Sequence, residues 1–477
     1  MKIGLGNFSN LGITDITICF IILLFSITSH LWCIDYPPRS TFDEVHFGNF
    51  TNWYTQSQYF FDIHPPLAKL IMFYFANLSE YQGDIDFVFQ NNSKYTNPTY
   101  IQLRITPSII SSLCPVLIYL SMRILSFSTL SSLTSSMLAL FDTSLLIEGR
   151  YILTDGILHF FVCLHLLILF YTSSLSVEDD KFLLWHIFTG LSLGAACSCK
   201  NTAWGICFVD SYIYILVFRN YISISFYSYM KKLIQYGISL FLIAVSVYEI
   251  SFSIHFILLP YAGPGYNYMS KELMDQLILN NFVDDNFDII RISNPSLLLR
   301  ALKLSKIMHQ DNMKITDSHI SASSPSQWPL LTGVDVRFFI GDGELILCQG
   351  NVFSYYFGLI GLVMCLFLYK SRNYLTNMIW VVGWCFSYFP FYLIPRVMFL
   401  YHYLIPMMLG CSAFGASLDL FPPKLKGITA SCAIILSAFG FWLWVPLVTG
   451  KYRRDNEIMF WNPKWLNMTM NLSNLTI

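Results

Sequence analysis

The densest polar residues of the chain lie in two short stretches, 42–47 and 61–67, just after the first apolar segment. Carboxyl and imidazole groups can exchange protons during a reaction, so these stretches could supply a general acid or base. A solvated loop with a surface salt bridge is the plainer alternative, because most charged loops are of that kind. The residues in question are Asp43, Glu44, His46, Asp62 and His64.

The composition favours a membrane setting for this cluster. The 477-residue chain is 55% hydrophobic and 12% charged, with a mean hydropathy of +0.53. Its apolar runs approach the length of about 20 residues that a spanning helix needs, so we predict an all-α polytopic membrane protein. The net charge of −1 offers no extended basic surface and excludes nucleic acid as a partner. Most of the 12 cysteines lie inside apolar runs, and none has zinc-site spacing.

The hydrophobic pattern predicts eleven spanning helices, the first of them a retained anchor. The weakest candidate is serine-rich, but serine is tolerated in packed membrane helices. The stretch 65–78 is too short to cross and is predicted to lie in the interface. The predicted spans are 13–31, 105–122, 126–141, 151–171, 182–199, 203–218, 233–259, 352–369, 376–395, 397–417 and 427–448.

Lysine and arginine fall in alternate short loops, which places those loops and the N-terminus in the cytoplasm and the C-terminus on the opposite, luminal side. Lys451, Arg453 and Arg454 depart from this pattern. The resulting units are a transmembrane module 1–259 with a luminal loop 32–104, a second luminal loop 260–351, C-terminal helices 352–450 and a luminal tail 451–477.

Under this topology the remaining unusual charges collect on the luminal side. A charge inside a membrane segment costs at least ~2.5–3.5 kcal/mol, so such groups pair or face a cavity. Several cations at one face suit an anionic headgroup such as a lipid phosphate. Simpler roles are an Arg150–Asp155 ion pair and interfacial snorkelling of Lys200. The charged residues are Arg104, Glu148, Arg150, Asp155, Lys200, Arg396 and His402.

These residues lie in motifs that resemble those of the protein O-mannosyltransferases. The similarity covers nearly the whole chain and is most specific in the first loop and in the Arg-x-x-x-x-Tyr-His-Tyr element. The matching stretches are 42–48, 61–69, 103–107, 145–155, 200–203, 263–265, 326–330, 349–351 and 396–403. Two departures are notable: loop 260–351 is too short for the β-trefoil (MIR) insert of many eukaryotic members, and Tyr266 stands where the family usually has an acid.

The resemblance implies a glycosyltransferase C-type fold in the endoplasmic reticulum membrane. It also implies transfer of mannose from dolichyl phosphate mannose to serine or threonine hydroxyls of proteins, with inversion at the sugar. Family members work as homo- or heterodimers, so a second family member is an expected partner. Alternatives are another lipid-linked-sugar transferase of the same fold, a polytopic transporter, or a non-catalytic partner subunit.

The expected roles of the residues follow from that chemistry. Inversion requires one general base, and we expect Asp43 to be that base. Glu44 is expected to position the acceptor or pair with a cation, and His64 to orient the acceptor or an acid. The two other luminal acids are Glu148 and Asp155. A divalent metal is possible but not expected to be required. The expected donor-phosphate ligands are Arg104, Arg150, Lys200, Arg396 and His402.

Overall fold

The computed structural model describes residues 11–88, 94–95, 97–266, 297–341, 344–367 and 374–450. These residues form sixteen α-helices and one two-stranded hairpin, in agreement with the predicted helical fold. The helices are α1 (Ile13–Leu31), α2 (Glu44–Thr55), α3 (Leu67–Leu78), α4 (Tyr100–Ser111), α5 (Cys114–Ile124), α6 (Thr129–Leu140), α7 (Thr143–Arg150), α8 (Asp155–Ser174), α9 (Asp180–Cys199), α10 (Cys207–Phe218), α11 (Phe226–Leu258), α12 (Leu297–Met313), α13 (Val352–Phe367), α14 (Tyr374–Tyr388), α15 (Leu404–Leu418) and α16 (Pro423–Thr449).

Seven helical segments of the described chain are long and apolar enough to cross a membrane, and the bent pair α6–α7 could form an eighth. Three further predicted spans coincide with α13, α14 and α15, which have only 15 or 16 residues each. The chain is therefore a multi-pass protein by length and composition, while the count of eleven spans stays a prediction. The stretch 65–78, which was predicted to lie in the interface, contains the 12-residue helix α3.

The serine-rich span 126–141 contains α6, and the chain then bends by 61° into the short helix α7. The side chain of Asp142 caps α7 by accepting a hydrogen bond from the Leu145 amide at 2.8 Å, which starts a new helix after α6 ends. The buried serines Ser131 and Ser135 face α15, where small side chains allow close approach.

Helices α13 and α15 also approach each other through glycine. A Cβ atom on Gly361 would overlap the backbone nitrogen and Cα of Phe414, and Gly358 faces Gly410 backbone to backbone. Without a water-driven force inside a membrane, such backbone contact provides the dispersion energy that holds helices together.

Gly361→Ala is therefore expected to lower the free energy of unfolding by about 1–3 kcal/mol, because the added methyl group must push α15 away. Gly237→Ala is the matched control, since a Cβ atom on Gly237 in α11 meets nothing within 4 Å. Thermal unfolding in detergent micelles measures both variants. Equal stability of the two would contradict the close packing of α13 on α15.

The segment 297–348 covers one end of the helical bundle. It contains α12 and an antiparallel hairpin of β1 (Val336–Gly341) and β2 (Glu344–Cys348). The hairpin reaches the first loop, where the Phe42 amide donates to the Phe338 carbonyl at 2.9 Å and the two rings stack at 4.6 Å. The first loop and its charged residues Asp43 and Glu44 therefore lie at this covered end.

Candidate functional site

Asp43 stands at the first turn of α2, directly after a strained residue. Phe42 has a φ of 45°, a left-handed conformation that bulky side chains rarely adopt. Its hydrogen bond and ring stacking with Phe338 hold it there. The chain consequently turns between Phe42 and Glu44, so that Asp43 is half-buried while Glu44 is fully buried.

Glu44 and Arg104 form a closed ion pair below this turn. Arg104 Nε and Nη2 each donate to a carboxylate oxygen of Glu44 at 2.8 Å, and both side chains are 0% exposed. The remaining N–H groups of Arg104 donate to the carbonyls of Ile34, Pro37 and Arg39. Glu44 also accepts from the backbone amides of Thr41 and Ile152 and from the Thr41 hydroxyl.

All five guanidinium donors of Arg104 are thus used inside the protein. The geometry favours a structural role for this pair. Glu44 pairs with a cation, which was one of its two expected roles, and Arg104 has no donor left for a phosphate. The pair ties the first loop to the start of α4 and to the chain after α7.

Arg150 does not pair with Asp155. Arg150 is 0% exposed and donates from Nη2 to the carbonyls of Trp32 and Cys33 at 2.7 and 2.9 Å, at the negative end of the α1 dipole. Asp155 instead binds Lys200, whose Nζ lies 2.9 and 3.0 Å from the two carboxylate oxygens. The simpler alternative for Lys200, snorkelling to the interface, does not describe it: Lys200 forms a buried ion pair that joins the end of α9 to the start of α8.

Residues 396–403, which we call the basic loop, approach the same place just before α15 begins. Arg396 and His402 are both half-buried, and the Nδ1 atom of His402 lies 3.0 Å from the Phe399 carbonyl. Between them, the ring of Tyr401 lies beneath the Lys200 ammonium, with Nζ 4.9 Å from the ring centre. Lys200, Arg396 and His402 thereby belong to one group, which we call the basic cluster.

Electrostatic interactions connect this cluster to Asp43. Burial raises the pKa of Asp43 to about 6, while nearby His46 and Lys200 favour its charged form and Asp155 and Asp62 oppose it. Arg396 also interacts with Asp43. The pKa of His64 lies well below its usual value, because the residue is desolvated and faces Lys200, Lys69, Arg396 and His402. His64 is accordingly neutral near pH 7.

Glu148 lies behind the cluster. It is 1% exposed and interacts electrostatically with Asp155, Asp43 and Lys200. Its Oε1 atom has no hydrogen-bond partner among the residues that the structure describes. Because Lys200 is already bound to Asp155 and an unpaired buried charge is costly, we expect Glu148 to be a neutral acid.

The structure brings Asp43, His64, Lys200, Arg396 and His402 together, with Asp155 and Glu148 beside them. It places Glu44, Arg104 and Arg150 in bonds that fix the surrounding chain. Sequence reasoning did not single out Tyr401, nor Lys69, which binds Asp62 and the carbonyls of His64 and Pro65. Both residues lie in stretches that resemble the family, Tyr401 in 396–403 and Lys69 in 61–69. For Lys69, the signal in the sequence was a lysine seven residues after Asp62 in the same stretch.

The carboxylates that the structure describes do not gather into a metal site. Within the described ranges, no group of three or more His, Cys, Asp or Glu side chains is arranged to hold a metal ion. Asp155 is occupied by Lys200, and Glu44 by Arg104. That the reaction needs no metal stays a prediction.

The arrangement of the helices is shared with solved structures of other proteins. The Saccharomyces cerevisiae Pmt1-Pmt2 protein O-mannosyltransferase complex bound to the sugar donor matches with a TM-score of 0.81 at 17% identity, over 92% of this chain and 91% of that one. ArnT from Cupriavidus metallidurans, bound to undecaprenyl phosphate, matches with a TM-score of 0.53 at 10% identity, over 92% and 76%. The fold is the glycosyltransferase C-type fold.

Sequence comparison gives the family. Residues 20–260 match the family described as dolichyl-phosphate-mannose-protein mannosyltransferase, and residues 298–468 match the C-terminal four-transmembrane region of protein O-mannosyltransferase. The chain belongs to the protein O-mannosyltransferase family.

Individual relatives are similar over part of their length. Protein O-mannosyl-transferase 2 of Danio rerio is 29% identical over 273 residues, which cover 55% of this chain and 35% of the relative. Mannosyltransferase 4 of Schizosaccharomyces pombe is 29% identical over 304 residues, covering 60% and 39%. Mannosyltransferase 3 of Saccharomyces cerevisiae is 33% identical over 229 residues, covering 47% and 30%. The matches therefore span between 30 and 39% of these three relatives.

Proposed function

We propose that this protein transfers mannose from dolichyl phosphate mannose to serine or threonine hydroxyls of proteins, with inversion at the sugar. The observation that carries the proposal is the position of Asp43, a half-buried carboxylate that interacts with Lys200 and Arg396 of the basic cluster. A base and a set of cations around one space are what displacement of a sugar phosphate requires. The family and the names of the relatives support the choice of donor and acceptor.

In this proposal Asp43 accepts the proton of the acceptor hydroxyl as its oxygen attacks the anomeric carbon. The bond between that carbon and the phosphate oxygen breaks, and its electron pair stays on the phosphate. Asp43 is the better base of the two adjacent acids because Glu44 is committed to Arg104. A positioned base of this kind contributes roughly 10²–10⁴-fold to the rate.

The basic cluster receives the charge that develops on the phosphate. Lys200 is held by Asp155, which fixes the ammonium group near Asp43. Arg396 and His402 lie on the same loop and can approach the phosphate from another side. His64 is neutral and can hydrogen-bond the acceptor without adding charge.

We further propose that the protein works in the endoplasmic reticulum membrane, with its N-terminus in the cytoplasm and its C-terminus in the lumen. Pairing with another family member is proposed from the Pmt1-Pmt2 complex, which has the same fold. Membranes that contain the full chain, incubated with dolichyl phosphate mannose and a serine/threonine peptide, should yield mannosylated peptide. Transfer only from a different lipid-linked sugar would favour another transferase of this fold, and solute movement without transfer would favour a transporter.

Lys200→Ala is expected to raise the donor KM about tenfold or more, because it removes a charge-assisted contact to the phosphate worth ~1.5–3 kcal/mol. Lys426→Ala is the matched control. Lys426 also binds a carboxylate at 2.9 Å, that of Asp419. This pair lies at the end of α15, whereas the basic cluster lies at the start of that helix. Initial rates over a range of donor concentrations measure both variants. An unchanged donor KM in Lys200→Ala would make Lys200 a structural partner of Asp155.

A further inference from the structure

The basic loop is held by a segment far away in the sequence. Residues 312–328, which we call the docking strap, run from the last turn of α12 to Trp328. The Val397 amide donates to the Ile315 carbonyl at 2.9 Å, and the Ser323 amide donates to the Met398 carbonyl at 2.9 Å. These bonds fix the backbone immediately after Arg396.

The strap also contacts the two basic side chains. Arg396 donates from Nη1 to the Oδ1 atom of Asn312 and from Nε to the carbonyl of Val397. The Trp328 ring lies nearly parallel to the His402 ring, with an angle of 12° and a centroid distance of 6.0 Å. Both groups of the loop therefore rest on the strap.

Two fixed nitrogens determine the direction of a guanidinium group, because the group is planar and its N–H donors have fixed angles. In Arg396, Nε and Nη1 are bound, and no bond from Nη2 is found within the ranges that the structure describes. The residue interacts with Tyr401 and Asp43, which line the site. The arginine side chain is long and flexible, so without these bonds it would sample many rotamers. It would then lose more conformational entropy on binding a phosphate.

We propose that Asn312 is a positioning residue, which orients Arg396 toward the leaving phosphate of the donor. The proposal rests on the proposed function, because it assumes that Arg396 contacts that phosphate. Asn312 acts through Arg396 and contacts neither donor nor acceptor. The strap thereby makes donor binding depend on the segment that follows α12.

Asn312→Ala tests the proposal in the full chain, in membranes. We expect the donor KM to rise about tenfold, because the orienting bond to a charged group is lost, while kcat changes little. The inhibition constant of dolichyl phosphate, which carries the phosphate without the sugar, should rise by a similar factor. Gln310→Ala is the matched control: this amide lies two residues earlier on α12, is exposed, and should change neither constant.

A double-mutant cycle separates orientation from general damage. In an Arg396→Ala background, Asn312→Ala should have no further effect on the donor KM or on inhibition. If Arg396→Ala raises both constants but Asn312→Ala raises neither, the inference is overturned and the proposed function stands. A lower kcat in Asn312→Ala at unchanged KM would also overturn it, since only the amount of active protein would have changed. Unchanged constants in Arg396→Ala would instead remove Arg396 from phosphate binding, and the inference with it.

Discussion

Asp43→Asn is expected to lower kcat by at least ~10²–10⁴-fold, the contribution of a positioned general base. The asparagine amide has nearly the same size but cannot accept the acceptor's proton. The basic cluster keeps all its cations, so inhibition by dolichyl phosphate should remain close to wild type. Mannose transfer to a peptide and the inhibition constant of dolichyl phosphate, measured on equal amounts of folded protein, give the two values.

Asp62→Asn is the matched control, because Asp62 is the neighbouring loop acid but is bound to Lys69. Its variant is expected to keep a far larger share of the activity. Near-normal turnover of Asp43→Asn would assign the base to another group. Loss of both turnover and dolichyl phosphate binding would make Asp43 a structural residue of the first loop.

The pH profile provides a second measurement on the same carboxyl group. Burial raises the pKa of Asp43 to about 6, and a general base must be ionised to act. The value of kcat/KM should therefore fall about tenfold for each pH unit below 6 and level off above it. An acidic limb near the usual pKa of an exposed aspartate, well below 6, would contradict the desolvated environment of Asp43.

Arg104→Ala is expected to cost about 3–5 kcal/mol of stability, because it leaves the Glu44 carboxylate buried without its partner. Three backbone carbonyls lose their donors in the same variant. Arg104→Lys should recover only part of the loss, since an ammonium group cannot satisfy five separate acceptor directions. Folded yield and thermal unfolding in detergent micelles measure the effect.

Glu44→Gln combined with Arg104→Met is the companion variant. Because both charges are removed together, it should be more stable than Arg104→Ala. Normal folding of Arg104→Ala with a raised donor KM would contradict the structural role and return Arg104 to the phosphate site. The Asp43 variant tests a carboxylate for a role in the reaction, and the variants of the Glu44–Arg104 pair test the adjacent carboxylate for a role in stability.

The positions of most helices could be predicted from the sequence because spanning segments are long and apolar, and their hydropathy is a strong signal. The bend between α6 and α7 could not be predicted, because it depends on two contacts of Asp142. Asp142 caps α7, and it also accepts a hydrogen bond from the backbone N–H of Asn351 at 2.9 Å. That contact joins residues more than two hundred positions apart in the chain.

The site could be predicted only in part. Charged residues in apolar surroundings located the region, and Asp43, Lys200 and Arg396 are indeed brought together. The sequence could not distinguish the role of Arg104 from that of Arg396. Both arginines lie in apolar stretches of sequence, and hydropathy does not tell an arginine that binds protein groups from one that faces a ligand. Only the full set of hydrogen bonds distinguishes them.

Asn312 could not have been found from its own neighbourhood. It lies in a polar stretch at the end of an amphipathic helix, where asparagine is a common helix-end residue. Its significance comes from Arg396, which is 84 positions away. Tertiary contacts of this kind need coordinates.

The stacking of Phe42 on Phe338 has a mechanical consequence. Phe42, which precedes the proposed base Asp43, is held by the first strand of the hairpin through a hydrogen bond and ring stacking. A displacement of that hairpin would remove the contacts that stabilise the left-handed backbone of Phe42, and Asp43 would change its orientation with it. A partner that displaces the hairpin is therefore expected to weaken the proposed base without entering the site itself.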